Sequence, residues 1–334
     1  MNLEINNCPS TLQLGFSSYS PIALKNLFGQ KKVSHILPYS NPNQDDETKQ
    51  VFNENRKHIS ISGVQDKLSL ILEKSNLRLT KDGEKGQYIL KPIPVDLLKV
   101  NQVPANEHLT MQIAAQVYGI KTAVNGLIFF NDNSPAYITK RFDRKADGMG
   151  WGKEDFASLA GKTVQNDGVN YKYNYSYEAI GSLIQKYVSA WQVDIEGYFR
   201  LIVFNYLFSN GDAHLKNFAL LENPSGDYSL SPAYDLINTR IHVDDTDFAL
   251  SKGLFEDDFQ SDYFKRSNHA CSTDFKEFAK RIGIKPNRID FLLNPFFEKH
   301  DKIETLIANS FLDNKSKKTY WQMYLTKLNQ LKSV

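Results

Sequence analysis

The sequence has little cysteine and almost no net charge. Only Cys8 and Cys271 occur among 334 residues, and neither belongs to a C-x-x-C pair. A disulfide framework and a structural zinc site are therefore not expected, and a reducing, cytoplasmic location is. The 40 Lys and Arg residues nearly balance 38 Asp and Glu residues, which leaves a formal net charge of +2. This charge gives no electrostatic basis for direct nucleic-acid binding.

Long apolar runs are also absent. The sequence begins MNLEINNCPS, without the basic and apolar regions of a signal peptide, so no such peptide is expected. The most apolar stretch, Leu201 to Phe208, is interrupted by Asn205 and is too short to cross a bilayer. A hydrophobic fraction of 41% with 12% aromatic residues is enough to build cores, and one large domain or two lobes are expected at this length.

The sequence pattern changes from strand-like to helix-like near residue 150. Apolar runs bounded by turn residues predict strands at 67–72, 76–79, 87–91, 127–130 and 136–140, and a further one at 58–62. Helical spacing predicts helices at 21–28, 105–118, 177–187, 195–209, 275–282 and 321–331. A β-rich first part joined to a helical second part is typical of a two-lobed enzyme, with its cleft expected near residues 140–150.

The segment NGDAHLKN at 210–217 carries the strongest local signal for chemistry. Asp212 and Asn217 have the D-x-x-x-x-N spacing of kinase catalytic loops, in which a carboxylate accepts the proton of an attacking hydroxyl and an amide oxygen helps to hold Mg²⁺. The alternative is a helix end with polar capping residues. The sequence continues into a predicted hairpin of 218–221 and 228–230, which returns Asp235 toward the same place. Asp235 would then complete a magnesium site, or it would cap a short helix.

The β-rich half contains a candidate phosphate lysine. Lys91 ends a predicted buried strand, from which its ammonium group can reach phosphates. Glu107, near the start of the helix predicted at 105–118, is a candidate ion-pair partner for Lys91. The alternative is a first-turn glutamate stabilised by the helix dipole.

Several other motifs are missing. The loop SISGVQDK at 60–67 is neither a G-x-G-x-x-G loop nor a Walker A motif, although its backbone N–H groups could lie over phosphates. The alternative, from composition alone, is a polar turn. No G-x-S-x-G nucleophile elbow occurs. His108, His214 and His242 lack metal-ligand spacing, so catalytic zinc is not expected, and His214 is expected to order the catalytic loop.

Taken together, the motifs resemble those of the HipA-like serine/threonine kinases, the toxin components of bacterial toxin–antitoxin systems. The resemblance extends over roughly residues 56–250 and rests on the order of the segments more than on any one of them. The segments are SISGVQDK at 60–67, YILKP at 88–92, NEH at 106–108, KRFDR at 140–144, EDF at 154–156, GDAHLKNF at 211–218 and SPAYD at 231–235.

The resemblance implies an α+β, bilobal, protein-kinase-like fold related to the phosphatidylinositol 3/4-kinases. Residues 1–55 would be an N-terminal extension that packs on the N-lobe. Residues 56–145 would be the β-rich N-lobe with a Ser-rich phosphate loop. Residues 146–334 would be the helical C-lobe with the catalytic and metal-binding loops.

The resemblance also implies ATP and Mg²⁺ as cofactors and assigns roles to residues. Asp212 would be the catalytic base, Asn217 and Asp235 would hold Mg²⁺, and Lys91 would contact the ATP phosphates. The other implied residues are His214 and Lys216 at the phosphate site, Lys140, Arg141 and Phe142 at the adenine hinge, and Ser60, Ser62, Gly63, Val64, Gln65, Lys67 and Glu107 around the nucleotide. Ser60 and Ser62 would be autophosphorylated, which adds negative charge beside the triphosphate and silences the kinase.

Fewer residues precede the Ser60 loop here than in full-length HipA proteins, so the chain resembles the shorter HipT branch. That branch implies a small HipS-like antitoxin and a helix-turn-helix HipB-like protein as partners, with DNA contact left to the latter and no membrane involved. The implied substrate is an aminoacyl-tRNA synthetase. A small-molecule or lipid kinase of the same fold, or a non-catalytic partner in a repressor complex, remain alternatives.

Overall fold

An antiparallel five-stranded sheet occupies the first half of the fold. The computed structural model describes residues 3–41, 67–94, 97–145 and 148–334. The strands are β1 (Leu68–Glu73), β2 (Asn76–Leu79), β3 (Tyr88–Lys91), β4 (Asn125–Phe129) and β5 (Pro135–Lys140), in the order β2-β1-β3-β5-β4. All five lie where the sequence predicted strands, with ends shifted by a residue or two. The strand predicted at 58–62 lies outside the described residues.

Both faces of this sheet are covered. In β4, Leu127 and Phe129 belong to the main core, whereas Ile128 belongs to a second core on the opposite face. This alternation follows from the two-residue period of a strand. Because both faces are buried, residues 127–129 of this strand are apolar in succession and do not alternate with polar ones.

The N-terminal segment covers the outer face. It contains α1 (Pro21–Phe28), which starts where the hydroxyl of Ser20 accepts the Ala23 N–H at 3.2 Å and ends at Gly29 in the left-handed region. The tyrosine hydroxyl of Tyr88 on β3 donates to the Leu27 carbonyl at 2.9 Å. This segment is therefore part of the packing of the sheet.

Helix α2 (Val103–Gln116) covers the inner face. It begins at Val103 and not at the predicted Ala105, because Pro104 is tolerated in the first helical turn, where no intrahelical N–H is needed. It is buried on nearly every side, and the Thr110 hydroxyl lies 2.9 Å from the hydroxyl of Tyr320 in the last helix. Its buried residues include Asn106, Glu107 and His108 as well as apolar ones, so these polar side chains need partners inside the fold.

The second half is mainly helical. Its α-helices are α3 (Phe156–Leu159), α4 (Val164–Asp167), α5 (Tyr177–Tyr187), α6 (Trp191–Leu207), α7 (Asp262–Ser267), α8 (Ser272–Arg281), α9 (Pro286–Leu293), α10 (Asp301–Asn309) and α11 (Asn314–Lys332). The last begins at Asn314 and not at the predicted Trp321, because Asp313 caps it by accepting the Ser316 N–H at 2.6 Å. Apolar spacing does not reveal such polar first turns.

A small sheet of β6 (Lys153–Asp155), β7 (Ala219–Glu222) and β8 (Tyr228–Leu230) supports the predicted catalytic segment. The β7–β8 hairpin was predicted, and β6 was not. Asp155 pairs with Ala219, so the chain just after the first sheet is joined to the segment after residue 217. Within the described ranges, none of the helices is long and apolar enough to span a membrane.

Candidate active site

A cleft of about 640 Å³ lies between the five-stranded sheet and the helical half. This volume is in the range of small-molecule sites. The cleft brings together nine of the predicted site residues, namely Lys67, Lys91, Glu107, Arg141, Asp212, His214, Lys216, Asn217 and Asp235. Ser60, Ser62, Gly63, Val64 and Gln65 lie outside the described residues.

Lys91 joins the two halves of the cleft. It is the last residue of β3, and its ammonium group donates to Glu107 Oε1 at 2.6 Å and to Asp235 Oδ1. The side chains of Lys91 and Glu107 are almost completely buried, and that of Asp235 is partly exposed. Lys67 Nζ approaches Asp235 Oδ2 at 3.9 Å. Two lysines therefore face the carboxylate that the sequence predicted as a metal ligand.

These contacts shift the pKa of each partner. Burial alone would raise the pKa of Asp235, but Lys91 and Lys67 hold it well below the usual range. Burial also opposes the charge of Lys91, yet the two carboxylates keep the pKa of its ammonium group above the usual value. For Glu107 burial dominates and raises the pKa of the carboxyl despite Lys91. At neutral pH the site thus holds an ionised Asp235 beside a charged lysine.

The three side chains of the motif N-E-H at 106–108 contact three different parts of the structure. Asn106 Nδ2 donates to the Asn238 carbonyl at 2.8 Å, and Asn106 Oδ1 accepts the Asn238 N–H at 3.2 Å. Glu107 meets Lys91, and His108 Nε2 lies 2.9 Å from the Ser10 carbonyl oxygen. The helix α2 therefore fixes the chain just after Asp235 as well as Lys91.

The segment after α6 forms a rigid loop. Asn210 folds back on the helix by donating its N–H to the Asn205 carbonyl at 2.8 Å. The His214 N–H donates to the Asp212 carbonyl at 2.8 Å and to Asn217 Oδ1 at 3.1 Å, as a one-turn 3₁₀-helix begins at Leu215. These local bonds follow from the short polar side chains of the segment.

Glycine is required at position 211 by close packing. A Cβ atom there would lie 2.5 Å from Asp245 Cγ and 2.6 Å from the Thr246 carbonyl oxygen. The Gly211 N–H donates to the Thr239 hydroxyl at 2.9 Å, and that hydroxyl donates to the Ser209 carbonyl at 3.0 Å. Any side chain at this position would push the loop away from Asp245 and Thr246, which follow the one-turn 3₁₀-helix Thr239–Ile241.

Asn217 and Asp235 form a pair of oxygen donors suited to Mg²⁺. Asn217 Nδ2 donates to Asp235 Oδ2 at 3.3 Å. Asp235 has a positive φ of 57° and precedes no α-helix, so it does not act as the helix cap considered from the sequence. No group of three His, Cys, Asp or Glu side chains suited to a metal occurs among the described residues. Two protein oxygens fit Mg²⁺, which keeps waters and phosphates as its other ligands.

The Asp212 side chain reaches into the cleft and remains open to solvent. Protein atoms around the cleft displace part of its water and raise the pKa of its carboxyl, against the effect of Tyr173 and Lys172. Tyr173 Oη donates to Asp212 Oδ1 at 2.8 Å. Neither Tyr173 nor Lys172 was predicted from the sequence, because both precede the loop at a distance in the chain that local patterns do not bridge.

His214 is buried beside this carboxylate. Burial and the nearby Lys172 lower the pKa of its imidazole to about 3, so the ring is neutral at physiological pH. Its Nδ1 atom is buried without a hydrogen-bond partner in the described part of the chain. A buried, unpaired ring nitrogen at a cleft wall is available to a ligand.

The residues predicted for the hinge separate in space. Arg141 lines the cleft, but its guanidinium group is held by Asp143 through bonds of 2.9 and 2.6 Å. Lys140 is exposed at the end of β5 and does not line the cleft. The Phe142 ring packs against Tyr234 at a centroid distance of 5.7 Å, behind the cleft wall. Contacts from this segment to the adenine base of a nucleotide would thus come mainly from the backbone.

Comparison with curated proteins finds relatives named as kinases. "Putative kinase" of Haemophilus influenzae is 28% identical over 318 residues, which cover 89% of this chain and 87% of that protein. "Putative kinase Y4dM" of Sinorhizobium fredii is 30% identical over 214 residues, which cover 58% of this chain and 48% of Y4dM. The match thus spans about half the length of Y4dM.

Two solved structures share the fold. A chain from the complex of the Shewanella oneidensis MR-1 toxin–antitoxin proteins HipA and HipB with operator DNA aligns with a TM-score of 0.62 and 22% identity, over 82% of this chain and 65% of that chain. The Helicobacter pylori proinflammatory kinase CtkA aligns with a TM-score of 0.50 and 18% identity, over 76% of this chain and 90% of that chain. At these identities the likeness is one of fold, and the fold is kinase-like.

The match to a family model agrees with these relatives. The model of the HipA-like C-terminal domain matches residues 59–302, which include every cleft residue named above. The chain therefore belongs to the HipA-like family.

Proposed function

We propose that this chain is an ATP- and Mg²⁺-dependent serine/threonine protein kinase that acts as the toxin of a HipBST-type toxin–antitoxin system. The observation that supports this function most directly is the meeting of Asp212, Asn217, Asp235 and Lys91 in one cleft. These residues supply a base, two oxygen donors for a metal and a phosphate lysine, which are the parts that phosphoryl transfer needs.

Each residue has a task that its geometry supports. Asp212, open to solvent, accepts the proton of the acceptor hydroxyl while the hydroxyl oxygen bonds to the γ-phosphorus of ATP and the bond to ADP breaks. Asn217 and Asp235 would hold Mg²⁺, which would supply positive charge against the phosphate oxygens. Lys91 is held by Glu107, which keeps its ammonium group in the cleft, where it would contact the ATP phosphates.

We further propose regulation by autophosphorylation of Ser60 and Ser62. Lys67 follows the loop that carries these serines, and its ammonium group lies in the cleft 3.9 Å from Asp235 Oδ2. The ammonium group of Lys67 therefore lies beside the catalytic residues. Phosphate on either serine would bring negative charge toward a triphosphate site.

The proposed substrate and partners follow from the family resemblance. The substrate is an aminoacyl-tRNA synthetase, whose phosphorylation would arrest growth. A HipS-like protein would neutralise the toxin, and a HipB-like protein would bind DNA. The HipA and HipB proteins of the Shewanella complex assemble with operator DNA, and the near-neutral charge of this chain fits a role in which its partner makes the DNA contacts.

The test is phosphopeptide and intact-mass analysis of the purified chain after incubation with ATP and Mg²⁺. The wild type should gain phosphate on Ser60 or Ser62, and Asp212→Asn should gain none while its thermal unfolding stays the same. Asp227→Asn, which alters an exposed acid in the β7–β8 turn, is the matched control and should behave as the wild type. Expression of Asp212→Asn should not arrest growth.

Other outcomes would favour the alternatives. Nucleotide turnover by the wild type without any phosphate on protein would point to a small-molecule or lipid kinase of the same fold. Growth arrest by folded Asp212→Asn would overturn the kinase mechanism and favour a non-catalytic partner in a repressor complex.

A further inference from the structure

Tyr173 holds the carboxylate that we assign as the base. Its hydroxyl donates to Asp212 Oδ1 at 2.8 Å. No other side chain of the described residues donates a hydrogen bond to this carboxylate, which lines the cleft, so Oδ2 has no side-chain donor among them. A carboxylate with one oxygen fixed presents its other oxygen in a defined direction.

The backbone that carries Tyr173 is anchored. Tyr173 ends a one-turn 3₁₀-helix, and its N–H donates to the Asn170 carbonyl at 2.9 Å. Its own carbonyl accepts the Ser251 N–H at 2.8 Å. The ring stands edge-on to His214 with centroids 5.2 Å apart, and the Lys172 ammonium group lies 5.0 Å from the ring centroid. A tyrosine has only two side-chain torsions, so these contacts leave its hydroxyl little freedom.

The phenol is a hydrogen-bond donor throughout the neutral range. Burial and the neighbouring Asp212 raise the pKa of Tyr173 well above its usual value, so the hydroxyl keeps its proton. A donated hydrogen bond stabilises the ionised carboxylate more than the protonated one. Tyr173 thus lowers the pKa of Asp212 against the larger, raising effect of burial.

We propose that Tyr173 is a positioning residue for phosphoryl transfer, which fixes Asp212 Oδ1 so that Oδ2 receives the proton of the acceptor hydroxyl. This inference rests on the proposed function for the role of Asp212 as a base. The Tyr173 hydroxyl does not itself touch the reacting atoms. It acts by orienting the group that does, which is the part of catalysis most sensitive to small displacements.

The test compares Tyr173→Phe with Tyr171→Phe. The first variant keeps the ring and its contact with His214 and removes only the hydroxyl. The second removes a hydroxyl from the same 3₁₀ turn, and that hydroxyl makes no hydrogen bond in the described residues. The groups that also act on Asp212 and stay unchanged in both variants are Lys172, Lys67 and Asp235.

The first readout does not depend on activity. Carboxyl ¹³C NMR of protein labelled at aspartate follows the titration of Asp212, with its signal assigned by its loss in Asp212→Asn. In Tyr173→Phe the midpoint should rise by roughly half to one pH unit, because a hydrogen bond to the ionised form is lost. In Tyr171→Phe it should not move. An unchanged midpoint in Tyr173→Phe would show that Tyr173 does not hold the carboxylate.

The second readout is the rate of phosphate transfer as a function of pH. For Tyr173→Phe, kcat should fall by roughly tenfold while KM for ATP stays the same, and the acidic limb of the profile should move to higher pH. A rise in kcat would mean that the hydroxyl obstructs the acceptor and would overturn the proposal. A wild type without any transfer would overturn the proposed function instead, and the titration would still decide whether Tyr173 holds Asp212.

Discussion

Replacing Lys91 by methionine removes the ammonium group that lies between Glu107 and Asp235 and keeps a side chain of similar length. The side chain of Lys91 is 6% exposed and that of Glu107 is 3% exposed. The variant therefore leaves a buried carboxylate without its cation. Removing one partner of a buried ion pair costs about 3–5 kcal/mol. We expect a loss of about 3 kcal/mol in the free energy of unfolding at neutral pH, at the low end because Glu107 can take up a proton.

The loss should depend on pH, and its sign follows from the pKa shifts. The pKa of Glu107 is raised in the fold, so its contribution to stability is present at low pH and is lost as the pH rises through the folded pKa. Without Lys91 this pKa rises further. The lowered pKa of Asp235 gives the wild type stability above the usual pKa of the carboxyl, and that stability is lost on acidification. Both effects should reduce the difference in unfolding free energy between variant and wild type as the pH falls.

Urea unfolding at about pH 7 and about pH 5 measures this gap. Lys91→Met should be compared with Glu107→Gln and with the double variant, which carries no unpaired charge at Glu107 and should recover most of the loss. Lys252→Met is the control, because its partner Glu256 and Lys252 itself are about half exposed and such pairs contribute about 0–1 kcal/mol. A double variant no more stable than Lys91→Met would refute the reasoning.

Two further predictions concern packing and the buried histidine. Gly181→Ala should destabilise the protein by about 1–3 kcal/mol, because its Cβ would lie 2.7 Å from Ile282 Cγ2. Gly197→Ala, whose Cβ would meet nothing within 4 Å, should stabilise helix α6 by about 0.5–1 kcal/mol. Thermal unfolding of both variants would refute this if the two changes in stability had the same sign. With a pKa of about 3 for His214, nucleotide affinity should show no inflection from this ring between pH 5 and pH 8. The lowered pKa of His214 gives stability above the usual histidine pKa, and this stability is lost on acidification. The wild type should therefore lose stability relative to His214→Gln as the pH falls below about 6.5. Parallel curves of unfolding free energy against pH, measured for the two proteins by urea unfolding, would contradict this.

Local sequence patterns predicted most of the elements but not their ends. The strands β1 to β5 are short apolar runs between turn residues, and such runs specify strands wherever both faces can be buried. Helix starts were missed where polar caps extend the helix, as at Asp313 before α11. The strand β6 was missed because the residues Lys153–Asp155 are polar and become a strand only by pairing with β7.

The residues of the candidate site also fall into two groups, those that local patterns identified and those that only the fold identified. The spacing of Asp212 and Asn217 and the turn chemistry before Asp235 are local, so the sequence was enough to single them out. Glu107 remained open between an ion pair and a first-turn glutamate, and the fold decided it, because α2 places the carboxylate 2.6 Å from Lys91 Nζ. The hinge at Lys140, Arg141 and Phe142 stays a prediction. The fold adds that the Arg141 guanidinium group is held by Asp143 and that Lys140 is not among the residues that line the cleft.

The sequence by itself determined the β-rich and helical halves, the polar loop at 210–217 and the order of motifs that marks the family, because each depends on residues within a few positions of one another. Only the tertiary structure decided which distant side chains meet. Tyr173 reaches Asp212 and Thr239 fixes Gly211 through contacts between segments far apart in the chain. Such contacts are set by the packing of the whole core, and no local pattern encodes them.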